Sequence, residues 1–255
     1  MIIIKKEKEI EILREGGKRL AQILHKVKDM VKPGISTKEL DIYARKLINE
    51  MNDTPAFLNY KPEGAKTPFP AALCVSVNEE VVHGIPREDK ILKEGDIISI
   101  DLGLNHKGMF TDMAMTVPVG EISASSKKLL EVTEKALELG IDAARAGNRV
   151  GDIGFAIESY VKNYRYGIID VLSGHGVGKY IHEDPYIPNF GKPNTGPKLV
   201  PGMVIAIEPM LNNGTKKIIV EKDNWTISTA DKKRSAHFEK TILITEGEPE
   251  ILTTL

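Results

Sequence analysis

One ten-residue stretch of the chain has a similar counterpart in the second half. Residues 92–101 align without gaps on residues 199–208, and the leucine, the glycine and two isoleucine positions of the two strings coincide. The tripeptide at 83–85, His-Gly-Ile, is matched in the same way by His-Gly-Val at 175–177. Strings this short can also match by coincidence, so the duplication is a hypothesis to be tested against the rest of the chain. If it holds, the fold consists of one unit used twice.

The order of the expected secondary-structure elements supports a duplication. Helical apolar spacing over 6–31 ends at Pro33-Gly34, and Ser36 with Glu39 forms a capping box that begins a second helix. Strands are predicted after these helices, at 73–77, 97–104 and 109–117. The second half repeats this order, with two helical patterns at 129–143 and 150–164 and then strands at 203–211, 217–220, 225–229 and 237–245.

We therefore expect an α+β fold in one catalytic domain, residues 1–255. Its halves, about 1–118 and 119–255, would each be a helix-helix-strand unit, arranged with pseudo-two-fold symmetry around a central antiparallel sheet. Such an arrangement could bring the repeated histidine and carboxylate positions to one central site.

Composition restricts the classes of partner. The chain has 255 residues, of which 41% are hydrophobic, with 36 acidic and 35 basic side chains. This balance predicts a soluble globular protein with no direct role on nucleic acid or membranes. Cys74 is the only cysteine, which excludes an internal disulfide and a cysteine-based zinc site. Together with the lack of a long apolar run, this favours the cytoplasm.

Two aspartates of the first predicted hairpin point to a bound cation. If residues 105–108 form a four-residue loop, Asp101 lies directly opposite Asp112. Like charges so placed among apolar neighbours are destabilising, and neither strand carries a lysine or arginine that could balance them. The alternatives are that one aspartate faces solvent, or that a distant lysine or arginine neutralises the pair.

The second half adds three more potential metal ligands. Glu208 occupies the place of Asp101 in the repeat, Glu239 follows in a later strand, and His175 lies in a glycine-rich segment. That segment lacks the strand-to-helix context and the Lys-Ser/Thr ending of a phosphate-binding loop. One imidazole and four carboxylates suit two divalent ions such as Mn, Fe, Co or Zn in a catalytic site.

The remaining histidines are more ambiguous. His83 and His182 lie in loops bounded by glycine or proline, where an imidazole could bond a substrate, although each could equally be an ordinary structural histidine. His25 and His106 are predicted at the surface. His237, close to Glu239, is a candidate to support a metal ligand.

Taken together, the motifs resemble the type I methionine aminopeptidases of the creatinase or pita-bread family, from about residue 6 to residue 247. The matching motifs are His83-Gly84-Ile85-Pro86, Ile100-Asp101-Leu102-Gly103, Thr111-Asp112, Gly174-His175-Gly176-Val177-Gly178, His182-Glu183-x-Pro185, Ile207-Glu208-Pro209 and Ala236-x-Phe238-Glu239. The resemblance implies that two divalent metals are bound by Asp101, Asp112, His175, Glu208 and Glu239, with Asp112 and Glu239 bridging, Asp101 mainly on one ion, and His175 and Glu208 on the other.

The resemblance also implies an activity. It is the removal of the initiator methionine from nascent proteins with a small second residue, by attack of a metal-bridging water. Glu208 would move the proton, and His83 and His182 would bond the substrate. Cys74 and Trp225 would line the methionine pocket, with Tyr60, Phe69 and Ile181 as weaker candidates. Implied partners are nascent N-termini and, as a further candidate, the ribosome. We expect a monomer.

Some features depart from the family pattern or leave alternatives open. Residues 59–72 are longer and richer in proline than the usual pocket loop, and His237 and Lys240 stand where the family usually has Gln and His. The chain has neither a Cys-rich N-terminal extension nor a long insertion between His175 and Glu208, which favours type I over type II.

Proline-specific aminopeptidases and dipeptidases share the ligand types, but carry an extra N-terminal domain, whereas about 80 residues precede His83. A catalytically silent peptide-binding module is the other alternative.

Overall fold

The computed structural model describes all 255 residues. The helices are α1 (Glu7–Asp29), α2 (Thr37–Glu50), α3 (Ala124–Ala143) and α4 (Val150–Val161), the last continued by a 3-10 turn at Lys162–Tyr164. The strands are β1 (Thr54–Pro55), β2 (Leu73–Val77), β3 (Glu80–Val82), β4 (Ile97–His106), β5 (Met109–Pro118), β6 (Gly167–Ile168), β7 (Ser173–Gly176), β8 (Glu183–Pro188), β9 (Val204–Ile207), β10 (Met210–Asn212), β11 (Ile218–Val220), β12 (Ile227–Thr229), β13 (Ser235–His237), β14 (Glu239–Leu243) and β15 (Glu250–Ile251). None of the helices has the length and apolar character needed to cross a bilayer.

A nine-stranded antiparallel sheet joins the two halves. Its order is β1-β4-β5-β14-β9-β7-β8, with β2 also pairing with β4 and β15 with β14. Strands β5 and β14, one from each half, pair near its middle. Two small sheets, β13-β10-β6 and β11-β12-β3, flank it. The predicted α+β fold with a central antiparallel sheet is therefore confirmed.

Alternation along the central strands gives the large sheet two different faces. On β4, Ile98, Ile100 and Leu102 join the main hydrophobic core together with apolar side chains of all four helices. Asp101 lies between two of these residues and so points to the opposite face, as Asp112 does beside Met113 on β5. The helices thus cover one face, and the carboxylates gather on the other.

The two glycines that interrupt the first helical pattern have a packing role. A Cβ at Gly17 would lie 2.4 Å from the carbonyl oxygen of Leu252, and one at Gly16 would lie 3.0 Å from the Cβ of His106. Glycine allows α1 to approach the sheet and the C-terminal segment this closely. The predicted capping box of α2 is also present, since Glu39 N donates to Ser36 Oγ and Ser36 N to Glu39 Oε2.

The predicted register of the first hairpin is wrong. The turn consists of two residues, Lys107 and Gly108, with φ of 50° and 83°, and His106 pairs with Met109. Positive φ at both central positions is the property of a type I′ turn, which connects strands without the longer loop that we expected. Asp101 therefore pairs with Ala114 and Asp112 with Gly103, so that the two aspartates are diagonal neighbours on the same face.

Two predicted strands are each broken in two. The strand expected at 203–211 becomes β9 and β10, separated by Glu208-Pro209, and the one at 237–245 becomes β13 and β14, separated by Phe238. Proline lacks the N–H that a continuous ladder needs. The two breaks are adjacent, since Phe238 N donates to Pro209 O at 3.4 Å. Glu208 and Glu239 thus lie where the chain passes between the large sheet and a small one.

Candidate metal centre and active site

The five side chains predicted as metal ligands come from five consecutive strands of the large sheet. In the order β4, β5, β14, β9 and β7 they are Asp101, Asp112, Glu239, Glu208, which follows β9 directly, and His175. All five line one cavity of about 340 Å³. The fold therefore brings to one place residues that are widely separated in the sequence.

The donor atoms form two adjoining groups. His175 Nε2 lies 3.7 Å from Glu208 Oε1 and 4.0 Å from Glu239 Oε1. Asp101, Asp112 and Glu239 form a second group, whose carboxylate oxygens lie within 4.8 Å of one another. Glu239 belongs to both groups, and Asp112 Oδ2 also lies 3.9 Å from His175 Nε2. Both groups have the ligand types of a divalent cation site.

Burial makes the charged form of these carboxyl groups costly. Burial raises the pKa of Asp101 to about 7, and burial together with the neighbouring carboxylates raises the pKa values of Asp112 and Glu239 well above their usual range. The only ion-pair contacts of Asp112, Glu208 and Glu239 are with histidines. Asp101 and Asp112 are both buried, and neither pairs with a lysine or arginine, so the solvent-facing and the lysine- or arginine-neutralised alternatives for the aspartate pair are wrong.

The residues present fit a divalent metal. Asp101 Oδ1 and Glu239 Oε1 are buried without any hydrogen-bond partner, a state that a cation would relieve. Burial lowers the pKa of His175 to about 3, which leaves a neutral imidazole at pH 7. Its Nδ1–H donates to the Gly176 carbonyl at 2.9 Å, so that the Nε2 lone pair faces the carboxylates.

His83 and His182 both line the cavity. His83 has a left-handed backbone, with φ of 58°, and Gly84 after it lies against β2, where a Cβ would stand 2.1 Å from the Val75 carbonyl oxygen. His182 lies at the cavity mouth, and its Nδ1 is 2.7 Å from the hydroxyl of Tyr60. Desolvation lowers the pKa of each of these two imidazoles to about 4, so both are neutral at pH 7.

The segment that carries His182 is tied down by a contact that the sequence did not reveal. Lys5 Nζ lies 2.5 Å from Glu183 Oε2, and these side chains are 1% and 2% exposed. The other oxygen of Glu183 accepts the N–H groups of Lys179 and Tyr180. The N-terminal segment therefore packs against the turn next to His182.

The apolar wall of the cavity matches most of the predicted pocket. Cys74, Trp225, Tyr60 and Phe69 line it, and the rings of Phe69 and Trp225 meet edge to face at 5.2 Å between centroids. Ile181 does not line the cavity, because its side chain packs towards Gly103. The sequence analysis missed Phe57, Pro62, Val82, Leu172, Ser173, Tyr186 and Met210. Of these, only Met210 could have been predicted from the sequence. It lies two positions after Glu208, and alternation along a strand places such residues on the same face.

The surface position predicted for His106 is wrong. His106 is 2% exposed, with Nδ1 at 2.6 Å from Asp53 Oδ1 and Nε2 at 3.2 Å from Glu15 Oε2. The hairpin end is buried because α1 packs on it at Gly16. His25 lies half-buried on α1.

Comparison with known proteins agrees with the family resemblance of the sequence motifs. The sequence profile of metallopeptidase family M24 matches residues 11–246. The chain belongs to this family. Methionine aminopeptidase 1 of Bacillus subtilis is 49% identical to this M24 metallopeptidase over 99% of both chains. The methionine aminopeptidase of Aquifex aeolicus is 46% identical over 98% of this chain and 97% of its own.

Solved structures show that the fold is shared more widely within M24. The methionine aminopeptidase of Thermotoga maritima superposes with a TM-score of 0.95 at 42% identity, over all of both chains. The prolidase of Pyrococcus furiosus gives a TM-score of 0.77 at 26% identity, over 99% of this chain and 66% of its own. The pita-bread fold and the resemblance to methionine aminopeptidases are thereby confirmed, and the family membership agrees with divalent metal binding.

Proposed function

We propose that this M24 metallopeptidase is a methionine aminopeptidase that removes the initiator methionine from nascent proteins whose second residue is small. The observation that carries the proposal is the convergence of four carboxylates and an imidazole at one end of a cavity with apolar walls. Full-length identity of 49% to a methionine aminopeptidase supports this substrate over the prolyl substrates of the prolidases.

The metal centre that we propose contains two divalent ions, drawn from Co, Mn, Fe and Zn. Asp101, Asp112 and Glu239 would hold one ion, while His175, Glu208 and Glu239 would hold the other, with Asp112 also shared. When bound, such ions lower the pKa of a water molecule towards neutrality and polarise the scissile carbonyl group.

The chain's own residues would then handle the proton and the substrate. Glu208 has the most accessible carboxylate of the cluster, at 13% side-chain exposure. It is thus placed to accept the proton of the attacking water and to deliver it to the leaving amine. His83 and His182, both neutral, would donate N–H bonds to the substrate amide and to the oxygen that gains negative charge.

Tyr60 would set the tautomer of His182. Burial raises the pKa of Tyr60, so its hydroxyl keeps its proton and can donate to Nδ1 of His182. The imidazole then carries its own proton on Nε2, the nitrogen that remains for the substrate.

The methionine side chain would occupy the apolar part of the cavity, against Cys74, Phe69 and Trp225, because a thioether chain needs apolar contacts. We further propose that the chain acts in the cytoplasm as a monomer and a single catalytic domain. Its substrates would be nascent N-termini as they leave the ribosome.

Release of free methionine from a Met-Ala-Ser peptide tests the function. The metal-free protein is assayed with added Mn²⁺ or Co²⁺ and again with excess chelator, beside a peptide that begins with Ala-Pro. We expect metal-dependent cleavage of the methionyl peptide alone. Cleavage of the prolyl peptide alone would assign the chain to the proline-specific relatives, and metal binding without any cleavage would favour the peptide-binding module.

A further inference from the structure

His237 is a buried imidazole whose ring makes no hydrogen bond. It is 2% exposed, it lines the cavity, and both Nδ1 and Nε2 lack a partner. Its backbone is held firmly, since His237 N donates to Thr116 Oγ1 at 2.8 Å and Thr116 Oγ1 donates to His237 O at 2.9 Å. A polar ring fixed in a buried position without partners indicates a contact to the site that it faces.

The ring faces two carboxylates of the proposed metal centre. His237 Nε2 lies 3.4 Å from Glu208 Oε2 and 4.0 Å from Glu239 Oε2. His175 Nε2 approaches the other oxygen, Oε1, of the same two glutamates at 3.7 Å and 4.0 Å. Glu208 and Glu239 therefore lie between two imidazoles, and each presents one oxygen to each ring.

The adjoining strand breaks produce this arrangement. His237 ends β13, where it pairs with Met210 on β10, two residues beyond Glu208. Glu239 begins β14, two residues after His237. The passage of both chain segments out of the large sheet thus sets the imidazole beside both glutamates.

We propose that His237 is a positioning residue for Glu208. The ring makes no hydrogen bond in the metal-free chain, but its Nε2 lies 3.4 Å from Glu208 Oε2. With the metal site occupied, Nε2–H would donate to that oxygen and leave Oε1, which faces His175, for the metal. This inference rests on the proposed metal centre. It assigns to His237 a role that acts through another residue and not through contact with the metal.

Two substitutions of His237 distinguish the hydrogen bond that the ring donates to Glu208 from the packing of the ring. His237→Gln keeps an N–H donor of similar reach, whereas His237→Leu keeps the bulk and removes the donor. His25→Leu, on the half-buried part of α1 away from the cavity, is the matched control. Each metal-free protein is titrated with Co²⁺ by calorimetry. The visible spectrum of the Co²⁺-loaded protein and the thermal unfolding of the metal-free protein are recorded as well.

We expect His237→Leu to weaken Co²⁺ binding about 10- to 100-fold and to change the Co²⁺ spectrum. His237→Gln should bind within about threefold of the parent chain. The metal-free His237→Leu protein should unfold at or above the parent temperature, because no hydrogen bond of the ring is lost. A purely structural residue would give the opposite pattern, with lower stability and unchanged metal affinity.

Either of two results overturns the proposal. Unchanged Co²⁺ affinity and spectrum in His237→Leu would show that His237 does not position Glu208. Equal losses in both variants, with weaker visible absorption, would make His237 a direct ligand. Failure of the parent protein to release methionine would contradict the proposed function but would leave this comparison of metal affinities readable.

Discussion

Burial determines the chemistry of the individual side chains in the cavity. Asp112 and Glu239 are 3% and 2% exposed, and the raised pKa values of these carboxyl groups measure the cost of charging them without a cation. The same burial keeps His83 and His175 neutral at pH 7. Neutral imidazoles and closely placed carboxylates are the forms that bind metal, so the site is built for a cation and is unfavourable without one.

Asp112→Asn tests this view of the carboxylates. The substitution keeps the shape and removes a carboxyl group that is costly to ionise in the metal-free protein. We expect at least about a 100-fold loss of metal-dependent methionine release, since one shared ligand is lost. The unfolding temperature of the metal-free protein should stay equal or rise. Peptide assays and thermal unfolding with chelator measure the two effects.

Asp53→Asn is the matched control for that experiment. Asp53 is also a buried aspartate, but it bonds His106 at 2.6 Å, away from the cavity. Its substitution should lower the unfolding temperature and leave methionine release intact. Unchanged turnover in Asp112→Asn would remove that residue from the metal centre.

Tyr60→Phe tests the control of the His182 tautomer. Without the hydroxyl, Nδ1 of His182 loses its 2.7 Å partner, and the imidazole can place its proton on either nitrogen. A lost hydrogen bond is worth about 1 kcal/mol, which corresponds to about a fivefold decrease in kcat/KM for the methionyl peptide. Tyr180→Phe, an exposed tyrosine outside the cavity, should have the parent value. A Tyr60→Phe protein with parent kinetics would contradict the tautomer assignment.

At the scale of elements, the site depends on where strands end. Glu208 follows β9 directly, Glu239 begins β14, and His83 follows β3 in a left-handed conformation. Non-glycine residues with positive φ are strained and persist only where their surroundings hold them. For His83 the support is Gly84, whose N–H donates to Ser76 Oγ and whose carbonyl accepts from Val75 N.

Gly84→Ala tests that support. The added Cβ would stand 2.1 Å from the Val75 carbonyl oxygen, so the loop must move and carry His83 with it. Overpacking of this kind costs about 1–3 kcal/mol, which lowers the unfolding temperature by several degrees. We expect kcat/KM to fall at least tenfold. In Gly247→Ala, where the nearest atom is 3.9 Å away, both quantities should be unchanged. Full activity of Gly84→Ala would show that the loop tolerates the shift.

At the scale of the whole molecule, the two faces of the sheet contribute to the free energy of folding with opposite signs. The helix-covered face buries the main apolar core, whereas the other face collects carboxylates that repel one another. A bound cation would turn that repulsion into attraction. Folding stability should therefore depend on metal, and the dependence should change with pH.

Thermal unfolding between pH 6.5 and 8 measures this dependence. Histidines of the unfolded protein, with a pKa of about 6.5, lose protons over this range to the same extent with and without metal, so their contribution cancels in the difference between metal-loaded and chelator-treated protein. The metal-free folded protein loses the proton of Asp101 as pH rises through its pKa of about 7, while unfolded aspartate has already lost its own. The contribution of Asp101 to the stability of the metal-free protein should therefore fall as pH rises.

The metal-loaded protein should not show this decrease, because its carboxylates are ionised and bound to the cation. The difference in unfolding temperature between Mn²⁺-loaded and chelator-treated protein should therefore widen from pH 6.5 to pH 8. If the difference in unfolding temperature stays constant over this range, protons and metal do not compete for the cavity carboxylates.

The sequence alone determined the features that depend on neighbours along the chain. Apolar alternation placed Asp101 and Asp112 on strands, the duplicated string matched Glu208 to Asp101, and Ser36 with Glu39 marked the start of α2. These signals are readable because the period of a strand and the cap of a helix involve residues a few positions apart.

Tertiary structure decided the features that depend on distant segments. The two-residue turn at Lys107-Gly108 moved Asp101 to a diagonal position, and the strand breaks at Pro209 and Phe238 arose where two sheets meet. The bond from Tyr60 to His182 and the ion pair between Lys5 and Glu183 join residues 122 and 178 positions apart. Such contacts leave no local pattern, because they form only when packing of the core has brought the segments together.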